Sequence, residues 1–492
     1  MDTFKEGYLM WNITLDKDSE TPLYIQITNH IKELIEENEI EDDKLPSIRQ
    51  LAKQLEVNNV TIVSAYKQLE QDGFVYSKKG SGTYIKRIPN PNEYSYLEEG
   101  DMELMVSGIL PISQDSINLA SVSPTPDVFP IEDFKQSLAE VLDRDGAHAF
   151  LYPEITGYEP LRESISSFLL ENSNIKVNKE QILITSGGQQ ALDIISKTLI
   201  NQGDCILVEN PTYSGALSAF ESRGAKIIGI PMLEDGIDID LLITHVRRYQ
   251  PKFLYIMTNF QSPTTYSYSR QKKNELLALA YEYGFYIIED DFLTDLSFNE
   301  EIDLPLKSED KYDNVIFIKS FSKIFMPGVR IGFITLPNKL FKNIIKAKHT
   351  TDISSSGFLQ RAFDQYLRKG YWKDHIKKVR EVYKNKYDFF VSELEKLKRY
   401  GIEFTLPNGG LSIWIKLPEE IDGIELYKEC IDHNLSIVPG RVFFTDNSIY
   451  SNYIRLSFGS VNDEEIREGI HILDNILSKP KINKDSRYLP FI

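Results

Sequence analysis

The segment Lys319–Phe333, KSFSKIFMPGVRIGF, places Lys323 among hydroxyl groups and seven residues before an arginine. A lysine amine can form a Schiff base with a carbonyl compound, and burial near other cations lowers its pKa and favours the uncharged nucleophile. Ser320 and Ser322 can donate hydrogen bonds to phosphate oxygens, and Arg330 can bind a phosphate through two parallel hydrogen bonds. These are the neighbours that a lysine needs in order to carry pyridoxal phosphate.

Three further segments place suitable side chains or backbone groups just after β-rich runs. TSGGQQAL presents backbone amides at Gly188 and Gln189 at a predicted helix start, which favours an anion. Tyr213 in ENPTYSG can stack on a planar ring, although a lone tyrosine is more often a packing residue. Asp290 in FYIIEDDF can keep a pyridine nitrogen protonated and so strengthen an electron sink. Its alternative roles are those of a helix cap or a metal ligand.

The elements that would position these residues extend from about Asn118 onward. Short β-rich runs, among them ILIT, CILVEN, AKIIGI, FLYIMT, FYIIED and NVIFIKS, alternate with helical segments. Such alternation predicts a mostly parallel sheet with helices on both faces. Ligands of these sheets bind outside the carboxyl ends of the strands, where the candidate residues lie.

The first eighty-seven residues predict a smaller unit of three helices and a hairpin. Ser47 begins a capping-box pattern for the second helix, and Asn58 or Asn59 can cap the third. FVYSKKGSGTYIKRI predicts two short strands with a basic, glycine-rich tip. This is the pattern of a winged helix-turn-helix, with its third helix in the major groove. Lys78 and Lys79 of the hairpin would then contact phosphates. A helical domain for protein contacts is the alternative.

Charge and composition restrict the possible partners. The net charge of −18 over 492 residues argues against nucleic-acid binding spread over the whole surface. Lys44–Arg87 nevertheless carries eight Lys/Arg against three Asp/Glu, while Glu33–Asp43 carries seven acids and no base. This contrast indicates either a local polyanion footprint or a solvated charged face.

Cysteine content and hydropathy exclude several classes of protein. Only Cys205 and Cys430 are present, which excludes a disulfide framework and a cysteine-rich zinc site, and no metal site is predicted. Neither a signal peptide nor a run of membrane-spanning length is visible. A soluble cytoplasmic protein is therefore expected.

PLYIQI, LPSIRQLAKQLEVNNVTIVSAYKQLEQDGFV and KKGSGTYI resemble the GntR-type winged helix over its whole length. The resemblance implies DNA contacts at Ser47, Arg49, Asn58, Asn59, Thr61, Lys79, Gly80, Ser81 and Gly82. The family usually has an arginine at the position of Asn59. Asparagine can pair with adenine but cannot make the arginine–guanine fork, so the base preference stays open.

From Asn118 to about Leu477, a series of motifs resembles the fold-type I pyridoxal-phosphate enzymes, the aspartate aminotransferase superfamily. The likeness is closest to the aminoadipate/kynurenine aminotransferase branch. LYPEITGYEPLRESI, TSGGQQAL, ENPTYSG, FQSPT, IIEDD, SFSK, VPG and YIRLSFG occur in the family order. The resemblance implies that Lys323 carries pyridoxal phosphate, Asp290 pairs with the pyridine nitrogen and Tyr213 stacks on the ring. The implied phosphate ligands are Gly188, Gln189, Ser320, Ser322 and Arg330. Arg455 would bind the carboxylate of an effector or substrate.

Two departures from that family concern the cofactor's phenolic oxygen. Ser262 stands where the family has the asparagine of N-P-T-G, and it offers one short donor in place of an amide. Phe292 and Leu293 stand where the family has a tyrosine that bonds the same oxygen. Cofactor binding should survive, while proton transfer through a full transamination cycle should be impaired.

Together the two resemblances are those of the MocR/GabR-type transcriptional regulators, in which a winged helix is fused to an aminotransferase-like domain. The expected boundaries are 1–87 for the winged helix, 88–117 for a linker, 118–478 for the cofactor domain and 479–492 for a tail. Within the cofactor domain, a small subdomain is expected from about Asp374.

The resemblance implies a head-to-tail homodimer that binds promoter or operator DNA. Its pyridoxal phosphate domain would sense an amine, an amino acid or the cofactor itself rather than act as an enzyme. A working aminotransferase with an added DNA-binding domain is the alternative.

Overall fold

The computed structural model describes residues 15–16, 19, 21–36, 44–71, 74–78, 82–85, 116–299, 303–446 and 451–479. The chain divides into two compact units, Met1–Tyr96 and Leu97–Ile492. Most of the expected linker, residues 88–115, and the tail from residue 480 lie outside the described residues, as do Lys79, Gly80 and Ser81.

The described residues of the N-terminal unit form three helices and a two-stranded hairpin. These are α1 (Leu23–Glu36), α2 (Ile48–Gln54), α3 (Asn59–Gln71), β1 (Val75–Lys78) and β2 (Gly82–Ile85). The predicted capping box forms, because Ser47 Oγ accepts from the Gln50 amide at 3.4 Å and the Ser47 amide donates to Gln50 Oε1 at 3.1 Å. Asn58 is the residue that caps α3, since its Oδ1 accepts from the Val60 amide at 3.0 Å.

The C-terminal unit combines a large sheet with smaller ones. Its strands are β3 (Ile117–Asn118), β4 (Ile182–Thr185), β5 (Cys205–Asn210), β6 (Lys226–Leu233), β7 (Gly236–Ile237), β8 (Phe253–Ile256), β9 (Tyr286–Asp291), β10 (Val315–Ser320), β11 (Gly332–Thr335), β12 (Glu403–Phe404), β13 (Ser412–Lys416), β14 (Leu435–Ser436), β15 (Val438–Pro439) and β16 (Tyr453–Ser457). Eight of them form the large sheet in the order β4-β11-β10-β9-β8-β5-β6-β7. The predicted α/β class is confirmed.

Helices cover both faces of this sheet. The described helices of the C-terminal unit are α4 (Ile131–Asp145), α5 (Glu159–Ser173), α6 (Gly188–Leu199), α7 (Ser214–Glu221), α8 (Ile239–Tyr249), α9 (Arg270–Tyr283), α10 (Phe341–His349), α11 (Gly357–Arg368), α12 (Tyr371–Leu394), α13 (Gly423–Asp432) and α14 (Asp463–Ser478), of which α13 and α14 pack with the C-terminal strands and α12. Ile206 and Val208 of β5 pack in the apolar cluster that contains α6 and α7, while Leu207 packs in the cluster with α8 and α9. This alternation is expected of a strand that is buried on both faces.

One strand of the large sheet breaks the parallel pattern beside the lysine segment. β11 pairs antiparallel with both β10 and β4. The chain between β10 and β11 carries Lys323 and Arg330 and contains only a single 3-10 turn, Pro327–Val329. Because no crossover helix separates the two strands, the second runs back along the first.

The C-terminal residues form a second sheet in the order β12-β13-β16-β15. α12 runs without interruption through Asp374, where the small subdomain was expected to begin. β3, from the start of the described C-terminal unit, pairs in parallel with β14, so Ile117 lies opposite Leu435. Among the described residues, no helix is both long enough and apolar enough to span a membrane.

Candidate functional site

A cavity of about 260 Å³ opens beside the carboxyl ends of β5, β8, β9 and β10. The residues expected to bind the cofactor or an effector carboxylate all line it: Gly188, Gln189, Tyr213, Ser262, Asp290, Ser320, Ser322, Lys323, Arg330 and Arg455. Residues from widely separated segments are therefore brought to one place by the sheet.

One end of the cavity is built to hold an anion. Gly187, immediately before α6, has φ of +107°, and a Cβ added there would lie 3.0 Å from Arg330 Nη2. Glycine is thus required for the close approach of this turn to the guanidinium group. Arg330 Nη1 donates to Ser322 Oγ at 3.4 Å, and Ser320 Cβ lies 3.7 Å from the Cβ position of Gly188. Helix amides, hydroxyls and a guanidinium group converge, as a phosphate requires.

Arg330 occupies a conformation that non-glycine residues adopt infrequently, with φ of +54°. Such a backbone costs about 1–3 kcal/mol and persists where the surroundings determine it. Here the conformation lets the chain turn between the lysine and β11 while the guanidinium group stays at Gly187.

Asp290, near the end of β9, is the acidic residue that lines the cavity. Its side chain is buried, and Oδ2 accepts a hydrogen bond from Tyr255 Oη at 2.8 Å. Burial raises the pKa of Asp290 to about 7, and the bond from Tyr255 opposes this shift. Such a carboxylate gains most when a cation, such as a protonated ring nitrogen, lies beside it.

Lys323 lies in the cavity with two guanidinium groups nearby. Burial, followed by the charges of Arg455 and Arg330, lowers its pKa to about 8. About a tenth of the amine is therefore uncharged at pH 7, far more than for an ordinary lysine, and only the uncharged amine can attack a carbonyl carbon.

Arg455, on β16, is 7 % exposed and lines the same cavity. Its Nη2 donates to the Ala120 carbonyl at 2.6 Å, and its guanidinium group lies 5.1 Å from the centre of the Phe443 ring. Burial lowers its pKa to about 10. Its Nε is buried and has no hydrogen-bond partner among the described residues. An unpaired buried donor on a cation favours a carboxylate ligand.

Tyr213 is held at the cavity wall by its neighbours. Its hydroxyl donates to Gln189 Oε1 at 3.2 Å, and Gln189 Nε2 donates to the Gly215 carbonyl at 2.9 Å. A Cβ on Gly215 would lie 2.5 Å from the Tyr213 ring, so glycine is needed for this packing. The ring is thus presented to a planar ligand in a fixed position.

The two positions that lack the family's tyrosine differ in the structure. Phe292 lines the cavity beside Ser262, whereas Leu293 is 2 % exposed and packs in the apolar core. Of the two, Phe292 is therefore the side chain that faces a bound ligand. It lacks the hydroxyl group that the family's tyrosine carries. The loop with Ser262 is anchored by the buried Gln261, which donates to Glu209 Oε2 at 3.0 Å.

A second lysine of the same segment was not singled out from the sequence. Lys319 Nζ lies 2.9 Å from Asp291 Oδ2 and 2.7 Å from Asp295 Oδ2, and all three side chains are largely buried. Burial opposes protonation, but the two carboxylates raise the pKa of Lys319 above its ordinary value. Strand alternation could have indicated that Lys319 faces away from the cavity, because successive side chains of a strand point to opposite faces and Ser320 faces the cavity.

Other lining residues were also missed; Ser214 and Val438 lie within the motifs ENPTYSG and VPG but were not singled out there, and the rest lie outside the motifs. They are Ser121, Val122, Ser214, Met257, Val438, Val442 and Phe443. Val438, Val442 and Phe443 come from the C-terminal sheet and the turn that follows β15, so their arrival depends on tertiary packing. Among the described residues, no group of three His, Cys, Asp or Glu side chains could hold a metal ion.

The residues expected to contact DNA lie in the N-terminal unit. Ser47, Arg49, Asn58 and Asn59 are exposed at the starts of α2 and α3, and Thr61 is half-buried. Gly82 begins β2, and Lys78 ends β1. Lys79, Gly80 and Ser81, at the predicted hairpin tip, are outside the described residues.

Comparison with known proteins separates the chain into the same two parts. Residues 23–85 match the gntR family of bacterial regulatory proteins, and residues 114–473 match aminotransferase class I and II. Aromatic-amino-acid aminotransferase 1 of Thermococcus litoralis is 35 % identical over 363 residues, which cover 73 % of this chain and 87 % of that protein.

Two further relatives show the range of this similarity. The uncharacterized HTH-type transcriptional regulator YdfD of Bacillus subtilis is 31 % identical over 473 residues, 93 % of this chain and 96 % of that protein. The kynurenine aminotransferase structure from Pyrococcus horikoshii has a TM-score of 0.72 at 31 % identity, covering 77 % of this chain and 94 % of that one.

Pyridoxal phosphate is the cofactor of class I and II aminotransferases, and the cavity fits it. It offers a lysine amine, a buried carboxylate for the ring nitrogen, an aromatic wall and converging phosphate donors. The chain thus belongs to the class I and II aminotransferase family, and the GntR-type domain that precedes this part gives it the MocR-type architecture.

Proposed function

We propose that this protein is a pyridoxal-phosphate-dependent transcriptional regulator. It binds double-stranded operator DNA through the winged helix and senses a small amine or amino acid in the aminotransferase-like cavity. The observation that carries the proposal is one cavity that gathers Lys323, Asp290, Arg330 and Arg455 in a chain that also has a GntR-type domain. By resemblance to the MocR/GabR-type regulators, we expect a head-to-tail homodimer that acts in the cytoplasm.

Different residues of the cavity would bind different parts of the cofactor. Arg330, Ser320, Ser322 and the amides at the start of α6 would hold the phosphate. Asp290 would hold a proton on the ring nitrogen, with Tyr255 fixing the carboxylate. Lys323 would make the covalent attachment, and Tyr213 would cover one ring face. When bound, pyridoxal phosphate supplies an electrophilic carbon for amines and a ring that withdraws electrons.

The effector is proposed to be an amine that bears a carboxylate. Arg455 supplies a buried cation with an unpaired Nε, which favours that group. Val438, Val442 and Phe443 line the same cavity, so ligand binding would also engage the part of the chain around β15. A ligand shifts an equilibrium only through unequal affinity for two states. We infer that closure of the small subdomain over the ligand provides this inequality.

Weak turnover would suit a sensor, since the bound effector is not quickly consumed. Phe292 offers no hydrogen bond at the cavity wall, and Ser262 offers a single hydroxyl donor. The phenolic oxygen would thus be held less firmly than by an amide and a tyrosine together, and proton transfer to the ligand would slow.

A working aminotransferase is the second candidate function. It is favoured by the retention of Lys323, Asp290 and Arg455 in one cavity and by the similarity to aminotransferases over most of the chain. In a third possibility, pyridoxal phosphate itself is the effector. In that case filling of the cavity alone, without an amine, would change DNA binding.

Visible absorption during titration with a panel of amino acids tests the proposal, with Lys323→Ala as control. We expect a band that depends on Lys323 and shifts lastingly with one class of amino acid. Conversion to the pyridoxamine form with release of a keto acid would support the aminotransferase instead. Absence of any lysine-dependent band would overturn the cofactor assignment.

A further inference from the structure

Val60, in the first turn of α3, has an unusually exposed apolar side chain. It is 67 % exposed, compared with 36 % for Ile48 and 40 % for Tyr76, the other exposed large apolar side chains of the described N-terminal unit. Single exposed apolar residues are common, so the exposure of Val60 indicates a function only if its position in the fold also does.

The location is the outward face of the helix expected to enter the major groove. Ile62, Tyr66 and Leu69 are buried on the inner face of α3. Lys67 lies two turns beyond Val60 on the outward face and is exposed. Val60 therefore makes no contribution to the core of the unit, and it lies next to the capping residue Asn58 and on the same helix face as Lys67.

The charge around Val60 selects the kind of partner. Among residues 44 to 85, the side chains that the structure describes include four Lys/Arg, namely Lys44, Arg49, Lys53 and Lys67, against Glu56 and Glu70. An apolar partner surface would not call for this excess of cations, whereas a nucleic-acid backbone does. The apolar group that a polyanionic duplex offers in its major groove is the C5 methyl of thymine.

The residues next to Val60 indicate which base pair the first turn of α3 would contact. The Asn58 side chain accepts from the Val60 amide, so it is engaged in capping α3. Asn59 is exposed next to Val60 and can pair with the edge of adenine. No residue of the first turn of α3 is an arginine, so this turn cannot make the bidentate arginine–guanine contact.

We propose that Val60 contacts a thymine methyl group in the major groove and, with Asn59, selects an A·T pair in each operator half-site. This inference rests on the proposed function, because it requires α3 to bind operator DNA.

The test begins with duplexes selected from a random library by the full-length protein. Each thymine of a selected site is then replaced by deoxyuridine, which removes only the methyl group, and the dissociation constant is measured at fixed salt. For the unaltered protein we expect one thymine per half-site at which the methyl loss weakens binding about three- to tenfold. In Val60→Ala the same replacement should change affinity less than about twofold.

Val60→Thr is the matched variant, because it keeps the shape and one methyl group of the side chain; it should keep most of the sensitivity. Thermal unfolding of both variants checks that the fold is intact. Specific binding without any sensitivity to deoxyuridine would overturn the inference and leave the DNA-binding function standing. A sensitivity that persists in Val60→Ala would assign the methyl contact to another residue. Failure to select any sequence would instead contradict the proposed function itself.

Discussion

The amine of Lys323 is tuned by burial and by Arg455 and Arg330, which lower its pKa to about 8. The uncharged amine is the reactive form, so attachment of pyridoxal phosphate to the cofactor-free protein should speed up as pH rises from 6 to about 8. It should then level off. An unperturbed lysine would keep gaining about tenfold per pH unit until near 10.4. Stopped-flow absorbance measures this rate, with Lys323→Ala as the control. A rate still rising steeply beyond pH 9 would contradict the shifted pKa.

Arg455 should discriminate ligands by their carboxylate. Replacing it with alanine removes a charge-assisted hydrogen bond, whose loss costs about 1.5–3 kcal/mol, or about ten- to a hundredfold in affinity. The matched comparison is an amino acid against the amine that lacks only its carboxylate. Binding of the amino acid should weaken by this factor, while binding of the amine should stay nearly unchanged. Equal losses for both ligands would show that Arg455 supports the cavity without recognising the carboxylate.

Phe292 offers a direct test of the missing hydroxyl group. Phe292→Tyr adds a donor at the cavity wall, whereas Leu293→Tyr adds the same hydroxyl in the apolar core. A hydrogen bond to the phenolate stabilises the deprotonated form of the attached cofactor. We therefore expect the pH midpoint of its visible band to fall by about one unit in Phe292→Tyr, together with faster transamination. An unchanged pH midpoint in Phe292→Tyr would show that the side chain at position 292 does not contact the phenolic oxygen of the cofactor.

At the scale of elements, the Lys319, Asp291 and Asp295 group joins β9, β10 and the turn Thr294–Leu296. Arg380 of α12 extends the connection, since its Nε donates to the Asp295 carbonyl at 2.6 Å. Lys319→Met leaves two buried carboxylates without a counter-charge. Removing one partner of a buried ion pair lowers the free energy of unfolding by about 3–5 kcal/mol, whereas replacing all partners can leave it nearly unchanged.

The expected result is a clear loss of thermal stability in Lys319→Met. It should be partly reversed in the variant that also carries Asp291→Asn and Asp295→Asn. Calorimetry of the full chain measures both. If the triple variant is no more stable than the single one, the packing of the lysine stem, and not its charge, holds these elements together.

The elements differ in how far the sequence could predict them. The lysine segment, the glycine turn and the acid at the end of β9 were predictable, because each lies where a strand meets a loop and carries its own chemistry. Strand alternation could have predicted that Lys319 faces away from the cavity, but its carboxylate partners could not be predicted, because they depend on a register that places Lys319 opposite Asp291. Sequence alone also left open whether Phe292 or Leu293 faces the ligand. The pairing of β3 with β14 joins segments that are distant in the chain, and no local pattern marks such a contact.

At the scale of the whole molecule, the net charge of −18 contrasts with the basic N-terminal segment. DNA affinity carried by a few cations should fall steeply with salt. The effector should alter this affinity only if it binds one conformation of the protein more tightly than another. Regulation thus requires that ligand binding in the cavity changes DNA affinity, and neither unit alone can do this.

The most direct measurement is operator affinity, followed by fluorescence anisotropy at constant salt while candidate amino acids are added. The operator duplex comes from selection by the full-length protein. We expect that one class of carboxylate-bearing amine changes the dissociation constant by about five- to 150-fold, the usual range of coupling between sites. Lys323→Ala should bind the same duplex, but its affinity should not change when the amine is added. An identical response in Lys323→Ala, or a response to none of the amines while keto acid is released, would contradict the proposed role as an amine-sensing regulator.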